Sequence, residues 1–207
     1  MKRFVSESDL RQGEAYLSDA DPDMAALIRR FGPCTMSPWD KDLYTNLTSS
    51  IVSQQLSVKA AATIFSRLHE LCADGENIDA EKLINLPIDS IRACGLSQAK
   101  TRYCLALAQS VVDEDLDLHH LREQEDDVII NALTQIPGIG QWTAEMFLIF
   151  SVGSTDVLAT ADIGLRRGMQ RYLGLDDHPS TEQFVSGSEV WRPYRSLASW
   201  YLWALAD

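Results

Sequence analysis

The stretch "LTQIPGIGQWTAEMFLIF", residues 133–150, places a proline and two glycines between two apolar runs with helical spacing. Pro137 favours the end of the first helix, because the residue before a proline is disfavoured in the α region. Gly138 and Gly140 permit positive φ and allow a partner to approach the bare backbone. The second helix is predicted to begin near Gln141, with unpaired N–H groups and a positive dipole end directed outward. Such a turn suits a phosphate, although an αα-hairpin turn without a ligand has the same local pattern.

Helical spacing of apolar residues dominates the rest of the chain, and no run alternates with period two over the length of a strand. The sequence therefore predicts an all-α fold. The clearest helical segments are residues 23–31, 42–52, 58–71, 100–112, 143–152 and 194–205. Helix-start signals are predicted at Ser57, Ser97 and Asp162, with a capping box at Ser180 and Gln183 and a helix end near Gly174.

The size and charge of the chain limit its class. Its 207 residues, 45% of them hydrophobic, suit one domain or two small lobes. A net charge of −12 argues against a nucleic-acid partner, because binding to phosphates supplies most non-specific affinity. Residues 113–127 hold much of this acid and are expected to form a solvated face or loop. The sequence leaves open a small basic face, formed by Arg166, Arg167, Arg171, Lys59, Lys100 and Arg102.

The sequence contains no membrane or metal signal. The first residues lack a signal-peptide apolar run, and no segment approaches the ~18 apolar residues of a membrane span. We therefore expect no membrane partner and a location in the bacterial cytoplasm or, in a eukaryote, the nucleus. The four cysteines form no CxxC pair, so we expect buried thiols rather than a zinc or iron–sulfur site.

One carboxylate stands out. Asp162 follows an extended apolar segment and is predicted to be the N-cap of a helix, the commonest role for Asp in that position. The helix dipole would also favour its anionic form, which suits a group that faces developing positive charge. The residues of this segment alone leave both interpretations open.

Five stretches resemble, in order, the helix-hairpin-helix (HhH-GPD) DNA glycosylases of the 3-methyladenine glycosylase II type. They are "IVSQQLSVKAA", "GLSQAKTRYCLALA", "LTQIPGIGQWTAEMFLIF", "VLATADIGLRRG" and "WRPYRSLASWYLW". The resemblance covers most of the chain from about residue 39 to residue 206. It implies base excision repair of alkylation damage, in which the enzyme flips the damaged nucleotide out of the duplex and cleaves its N-glycosidic bond.

The resemblance assigns the hairpin to DNA binding. It implies a phosphate anchor that holds one strand without reading its sequence, formed by Gly138, Gly140, Gln141 and Thr143. In related proteins the hairpin carbonyls coordinate a monovalent cation. By position these carbonyls belong to Thr134, Ile136 and Gly138, so a structural Na⁺ or K⁺ is expected there and no cofactor is required for the chemistry.

The resemblance also assigns the chemistry. Asp162 matches the family's aspartate, which stabilises the oxocarbenium-like sugar or directs water to it. Trp142 stands where relatives that cut the DNA backbone carry a lysine that forms a Schiff base, so we expect no lyase activity. Trp142 and Trp203 are the expected walls of the base pocket, since an aromatic face attracts a cationic base.

The loop "SQQLS", residues 53–57, resembles the one that fills the gap left by the flipped base. Gln54, Gln55, Leu56 and Ser57 are its expected inserting residues. Gln55 is the best positional match for the wedge and Leu56 is its apolar neighbour, and the sequence does not choose between them. Ser53 departs from the glycine that is common in the family.

The resemblance implies two helical lobes with the active-site cleft between them. Residues 1–46 with 152–207 would form the terminal lobe that carries the catalytic Asp162, and residues 47–151 the lobe that carries the hairpin. The expected partner of this monomer is double-stranded DNA containing 3-methyladenine or 7-methylguanine. The alternatives are a glycosylase for mismatched or oxidised bases and a non-catalytic DNA-binding module. Two basic residues outside the site have separate predictions. Lys100 is expected to lie in solvent or to contact a phosphate, and Arg195 is expected to pair with an unidentified carboxylate.

Overall fold

A computed structural model describes residues 2–40 and 42–206. The described chain is mostly helical, which confirms the predicted all-α class. The chain divides into two compact units. Met1–Asp40 and Leu148–Asp207 form one, called the terminal unit below, and Lys41–Phe147 form the other, called the central unit.

The helices and strands follow the chain in this order: α1 (Glu7–Ala20), α2 (Pro22–Phe31), α3 (Leu43–Ser53), α4 (Val58–Cys72), β1 (Ala73–Asp74), β2 (Asn77–Ile78), α5 (Ala80–Ile84), α6 (Ile88–Ala93), α7 (Gln98–Val112), α8 (Leu118–Arg122), α9 (Asp126–Thr134), α10 (Gln141–Phe147), α11 (Ile163–Leu173), α12 (Thr181–Ser188) and α13 (Arg195–Ala206). Short 3₁₀ helices span Pro38–Asp40 and Glu189–Trp191, and a π-helix spans Leu148–Val152.

The antiparallel pair β1–β2 was not predicted. Ala73 pairs with Ile78 and Asp74 with Asn77. Strands of two residues are too short to show the alternation by which a strand is recognised in a sequence.

The predicted helix boundaries are confirmed by their caps. The side chains of Ser57, Ser97 and Asp162 each accept a hydrogen bond from a backbone N–H in the first turn of their helix. Ser180 and Gln183 form the complete capping box. Gly174 ends α11 in the left-handed region, at φ 63°.

Two buried or half-buried carboxylates organise the terminal unit. Asp21 caps α2 and accepts hydrogen bonds from Tyr172 Oη at 2.6 Å and Trp191 Nε1 at 2.7 Å. Burial acts to raise the pKa of Asp21, but the hydrogen bonds from Tyr172, Trp191 and two backbone amides outweigh it and hold the pKa below its usual value. Glu14 is buried and accepts from Tyr201 Oη and Cys34 N, each at 2.6 Å. These contacts join segments that lie far apart in the sequence.

The partner of Arg195 is Asp156, which confirms a structural role for this arginine. Its Nε lies 2.7 Å from Oδ1 of Asp156, and its Nη2 lies 3.1 Å from Oδ2. Arg195 is only 9% exposed, and Arg192 donates to the same carboxylate at 2.7 Å. The two guanidinium groups fix the start of α13 to the segment before α11.

The acidic stretch 113–127 contains α8 and meets the prediction of a solvated face. Leu116, Leu118 and Leu121 are buried, and most of the acidic side chains are exposed. No helix in the described part of the chain is both long and apolar enough to cross a membrane.

All four cysteines are free and buried, as predicted. Burial raises the pKa of the Cys34 and Cys104 thiols to about 12 and that of Cys72 to about 11. It also raises the pKa of Cys94. These thiols pack as small apolar groups in their protonated form.

Candidate functional site

Asp162 is held by two hydrogen bonds in the terminal unit. It is the N-cap of α11, and its Oδ1 accepts from Leu165 N at 2.6 Å and from Trp203 Nε1 at 2.9 Å. The first bond is the ordinary capping contact, and the second comes from a helix 41 residues further along the chain. The carboxylate therefore has a fixed position at a helix N-terminus, where an anion is favoured.

Trp203 and Phe150 form an aromatic surface next to this carboxylate. Their ring centroids are 5.5 Å apart, and Phe150 is 40% exposed. A Cβ on Gly164 would lie 3.3 Å from Asp162 Oδ1 and 3.3 Å from Trp203 Cδ1, so glycine leaves room for both groups. We call these four residues the carboxylate cluster. The structure brings the predicted Asp162 and Trp203 together.

Phe150 and Gly164 were missed from the sequence. Phe150 ends an apolar run that is indistinguishable from a core helix, so its partial exposure has no local signal. Gly164 lies two residues after the cap, where the pattern gave no reason to require a small side chain. The family motif around Asp162 was the only signal that pointed to this position.

The predicted basic face is only partly present on α11. Arg166 donates to the carbonyls of Thr160 and Pro179, the latter at 2.5 Å. Arg171 donates to the carbonyl of Leu205 at 2.5 Å. Both guanidinium groups thus hold backbone segments of the terminal unit. Arg167 and Arg171 are exposed, and Arg166 is half-buried.

The central unit carries the hairpin. Ile139 N donates to Ile136 O at 3.1 Å across the turn, and α10 begins after Gly140, whose carbonyl accepts from Ala144 N. Gly138 has φ 91°, and a Cβ there would lie 2.3 Å from the ring of Tyr103. Gly138 is therefore required by both conformation and space.

Gly140 does not use the positive φ that a glycine permits. Gly140 does not lie in the left-handed region, and a Cβ there would meet nothing within 4 Å. The open space beside it still permits a close approach to the backbone. The first turn of α10 thus faces solvent at Gly140 without needing a glycine for its conformation.

Three predicted residues follow in α10. Trp142 is 44% exposed, and Gln141 is exposed with its Nε2 donating to Glu145 Oε1 at 3.0 Å. Thr143 is only 5% exposed, so its side chain is not available to DNA, and a contact with DNA at this residue would be made by its backbone N–H. Its spacing relative to Gln141 places it on the inward face of the first turn, and its backbone N–H alone belongs to the helix start.

The three predicted hairpin carbonyls are suitable ligands for a monovalent cation. They are neutral, hard oxygen donors. Ile136 O already accepts from Ile139 N, and Gly138 O accepts from Gln54 Nε2 at 2.8 Å, but a carbonyl oxygen has two lone pairs. Within residues 2–40 and 42–206, no group of three His, Cys, Asp or Glu side chains is placed to hold a metal ion.

The four predicted inserting residues separate into two pairs. Gln54 donates to Gly138 O, and Ser57 caps α4, so both side chains have structural tasks within the protein. Gln55 and Leu56 are exposed, and Gln55 has φ 56°, an uncommon backbone conformation for a residue other than glycine. Val58, which the sequence did not suggest, is 88% exposed at the start of α4.

Lys100 is half-buried and bonded to the backbone of the central unit. Its Nζ donates to Val52 O at 2.8 Å and to Gln54 O at 2.5 Å. Burial lowers the pKa of Lys100. The predicted solvated side chain is wrong, because both acceptors are backbone carbonyls at the end of α3, 48 and 46 residues earlier in the chain. The alternative, a contact with a phosphate, stays a prediction.

Comparison with known proteins shows similarity in sequence over most of the chain. The HhH-GPD family model, described as a superfamily of base excision DNA repair proteins, matches residues 48–193. DNA-3-methyladenine glycosylase 1 of Schizosaccharomyces pombe is 32% identical over 199 residues, covering 95% of this chain and 87% of the relative.

Two solved structures share the fold at 30% and 32% sequence identity. The S. pombe 3-methyladenine DNA glycosylase in complex with abasic DNA has a TM-score of 0.82 at 30% identity, covering 93% of this chain and 95% of that chain. A DNA-3-methyladenine glycosidase from Bacillus halodurans has a TM-score of 0.83 at 32% identity, covering 100% and 93% of the two chains.

Proposed function

Because the chain belongs to the HhH-GPD superfamily of base excision DNA repair proteins, we propose that it is a monofunctional DNA glycosylase for alkylated bases. Its substrate is double-stranded DNA that contains 3-methyladenine or 7-methylguanine, and its products are the free base and an abasic site. The observation that carries the proposal is the fixed carboxylate of Asp162, held through Oδ1 by Leu165 and Trp203.

Asp162 acts on the sugar in this proposal. Departure of the base leaves an oxocarbenium-like sugar, and a carboxylate stabilises that positive charge or orients the water that attacks C1′. Alkylation makes the base cationic and therefore a good leaving group. A strong general acid is not needed, and the enzyme supplies an anion instead.

Trp142 and Trp203 act on the base. A tryptophan has no amine with which to form a Schiff base, so the sugar–phosphate backbone is left uncut. The exposed face of Trp142 attracts an electron-poor base through stacking and a cation–π contact worth ~0.5–2 kcal/mol. Trp203 has a second task, since its indole N–H holds Asp162.

The hairpin and the loop act on the duplex. The backbone at Gly138 and Gly140 and the start of α10 grip a phosphate, with Gln141 exposed beside them. Gln55 and Leu56 are the proposed wedge, because both are exposed, whereas Ser57 caps α4 and Gln54 donates to Gly138. A Na⁺ or K⁺ on the carbonyls of Thr134, Ile136 and Gly138 would neutralise charge near that phosphate. The enzyme is proposed to act as a monomer without a cofactor for its chemistry.

The proposal is tested by incubating the protein with methylated duplex DNA and measuring released 3-methyladenine and 7-methylguanine by chromatography. We expect base release by the wild type. Asp162→Asn should slow release by about 100-fold or more, because a group that stabilises transition-state charge is lost. Asparagine still caps a helix, so α11 and DNA binding should be retained.

Asp177→Asn is the matched control, because Asp177 is an exposed carboxylate of the same unit and should leave the rate unchanged. If the wild type releases no base from methylated DNA, the proposed activity is wrong. Release of mismatched or oxidised bases from defined duplexes would mean that the protein is a DNA glycosylase with a different base specificity. DNA binding without release of any base would indicate a non-catalytic module.

A further inference from the structure

Lys100 connects α7 to the end of α3. Its ammonium donates to the carbonyls of Val52 and Gln54, at 2.8 and 2.5 Å. The last carbonyls of a helix have no partner within the helix, and a cation there is favoured by the helix dipole. Gln54 is the first residue after α3, so this bond also holds the beginning of the proposed wedge loop.

Gln54 connects the wedge loop to the hairpin. Its main-chain carbonyl is the acceptor for Lys100, and its side-chain amide donates to the carbonyl of Gly138 at 2.8 Å. One residue is thus bound at both ends, to α7 and to a residue 84 positions further along the chain. The bond ends on the one hairpin residue whose φ of 91° requires glycine.

Tyr103 supports the hairpin from the same helix. It lies three residues after Lys100, on the same face of α7. The Tyr103 ring fills the space where a side chain at Gly138 would lie, since a Cβ there would come within 2.3 Å of it. α7 therefore holds the wedge loop by hydrogen bonds and the hairpin by packing, and Gln54 joins the two.

Resting on the proposed function, we propose that Lys100 and Gln54 are positioning residues that fix the wedge loop relative to the hairpin. Insertion of Gln55 or Leu56 into the duplex then takes place at a set distance from the phosphate held at Gly138 and Gly140. Base flipping needs this spacing, because the wedge must replace the base in the stack while the backbone is gripped. Excision of a base that is already outside the stack does not need this spacing.

The test uses two duplexes that contain the same 7-methylguanine. In one it pairs with cytosine, and in the other it lies opposite a tetrahydrofuran abasic analogue, where extrusion needs less energy. Lys100→Met keeps most of the side-chain length but removes the ammonium. We expect excision opposite cytosine to fall by about tenfold, the effect of losing a hydrogen bond to a charged group. Excision opposite the abasic analogue should fall by less than about threefold.

Gln54→Leu should give the same pattern, because it removes the amide that bonds Gly138. The two changes together should cost less than the product of their separate effects, since both release the same loop. Lys82→Met is the matched control. Lys82 also donates to a backbone carbonyl in the central unit, that of Ala73 at 2.8 Å, but it holds no part of the loop or the hairpin.

The abasic-analogue duplex separates folding from positioning, because a loss of folded enzyme lowers the rate on both duplexes equally. Equal losses for Lys100→Met, or no loss on either duplex, would overturn the inference and leave the proposed function standing. Failure of the wild type to release 7-methylguanine from both duplexes would instead contradict the proposed function.

Discussion

Asp162 is one carboxyl group with a structural and a proposed chemical task. The capping bond and the bond from Trp203 both end on Oδ1, so the group is oriented before any substrate binds. Orientation of this kind is effective in catalysis, because no reorganisation is needed when the sugar becomes positive. The importance of Trp203 then goes beyond its aromatic face.

The two tasks of Trp203 can be separated with Trp203→Phe. Phenylalanine keeps a ring against Phe150 but lacks the indole N–H that binds Asp162. We expect the single-turnover rate of base release to fall about tenfold, with a smaller effect on DNA binding. Trp200→Phe, on the same helix, serves as the control. An unchanged rate for Trp203→Phe would mean that the bond does not position Asp162.

The substitution Trp142→Lys places a lysine at the position where relatives that cut the DNA backbone carry one. We expect no efficient strand cutting, because a Schiff base needs an amine with a lowered pKa that is aimed at C1′. The measurement is a denaturing gel of abasic product without alkali, together with borohydride trapping. Strong cutting by this variant would show that the surrounding geometry is already that of a lyase.

At the scale of the elements, the helix boundaries were predictable and the ties between helices were not. Ser57, Ser97 and Ser180 act on the first turn that follows them, so their signal is local. The pairing of Arg195 with Asp156 spans 39 residues. Partner identity at that distance depends on how the helices pack, which no local pattern encodes.

The candidate site shows the same division. Asp162 was identifiable because it lies in a short motif, and Trp142, which the resemblance also singles out, is 44% exposed. The contacts of Lys100, Gln54 and Phe150 required the tertiary structure. The burial of the Thr143 side chain was not predictable, because a position in the first turn of a helix does not reveal which face is buried.

Asp21 joins α2 to Tyr172 on α11 and to Trp191, and its depressed pKa makes this junction sensitive to acid. A carboxylate with a lowered folded-state pKa stabilises the fold above its unfolded pKa of about 3.9, and this contribution is lost as the pH falls through the folded pKa. We expect Asp21→Asn to lower the free energy of unfolding by about 1 kcal/mol at pH 7, reduced from a buried value by solvent exposure.

The difference between wild type and Asp21→Asn should narrow as the pH falls below about 4, because the wild-type carboxylate then becomes neutral as well. Urea unfolding followed by circular dichroism between about pH 7 and about pH 2.5 measures it. Asp23→Asn, an exposed neighbour in the same turn, provides the reference. A constant difference across this range would mean that the charge of Asp21 does not stabilise the junction.

At the scale of the whole molecule, a net charge of −12 conflicts with a polyanionic partner. Part of the acid lies in the exposed stretch 113–127, and two of the arginines on α11 are engaged with carbonyls. Under the proposed function, affinity for DNA comes from a few local contacts at the hairpin and the wedge loop. Long-range attraction contributes little.

We therefore expect weak bulk affinity for DNA that decreases steeply with salt. A plot of log K against log[salt] should be linear, with a slope of about −0.9 for each phosphate that the protein neutralises. Fluorescence anisotropy with a lesion-free duplex and a duplex containing an abasic analogue gives both slopes. A flat plot would indicate that ionic contacts are not the source of the affinity.

The four buried thiols have a consequence for survival under chemical stress. Electrophiles that methylate DNA also attack thiolates, which are far more nucleophilic than thiols. Cys34, Cys72, Cys94 and Cys104 are all shielded, with pKa values raised by burial. A methylating agent that enters a cell creates lesions in DNA. The cysteine thiols of this protein would react slowly with the same agent. Under the proposed function, repair would then persist in the same conditions that create alkylated bases.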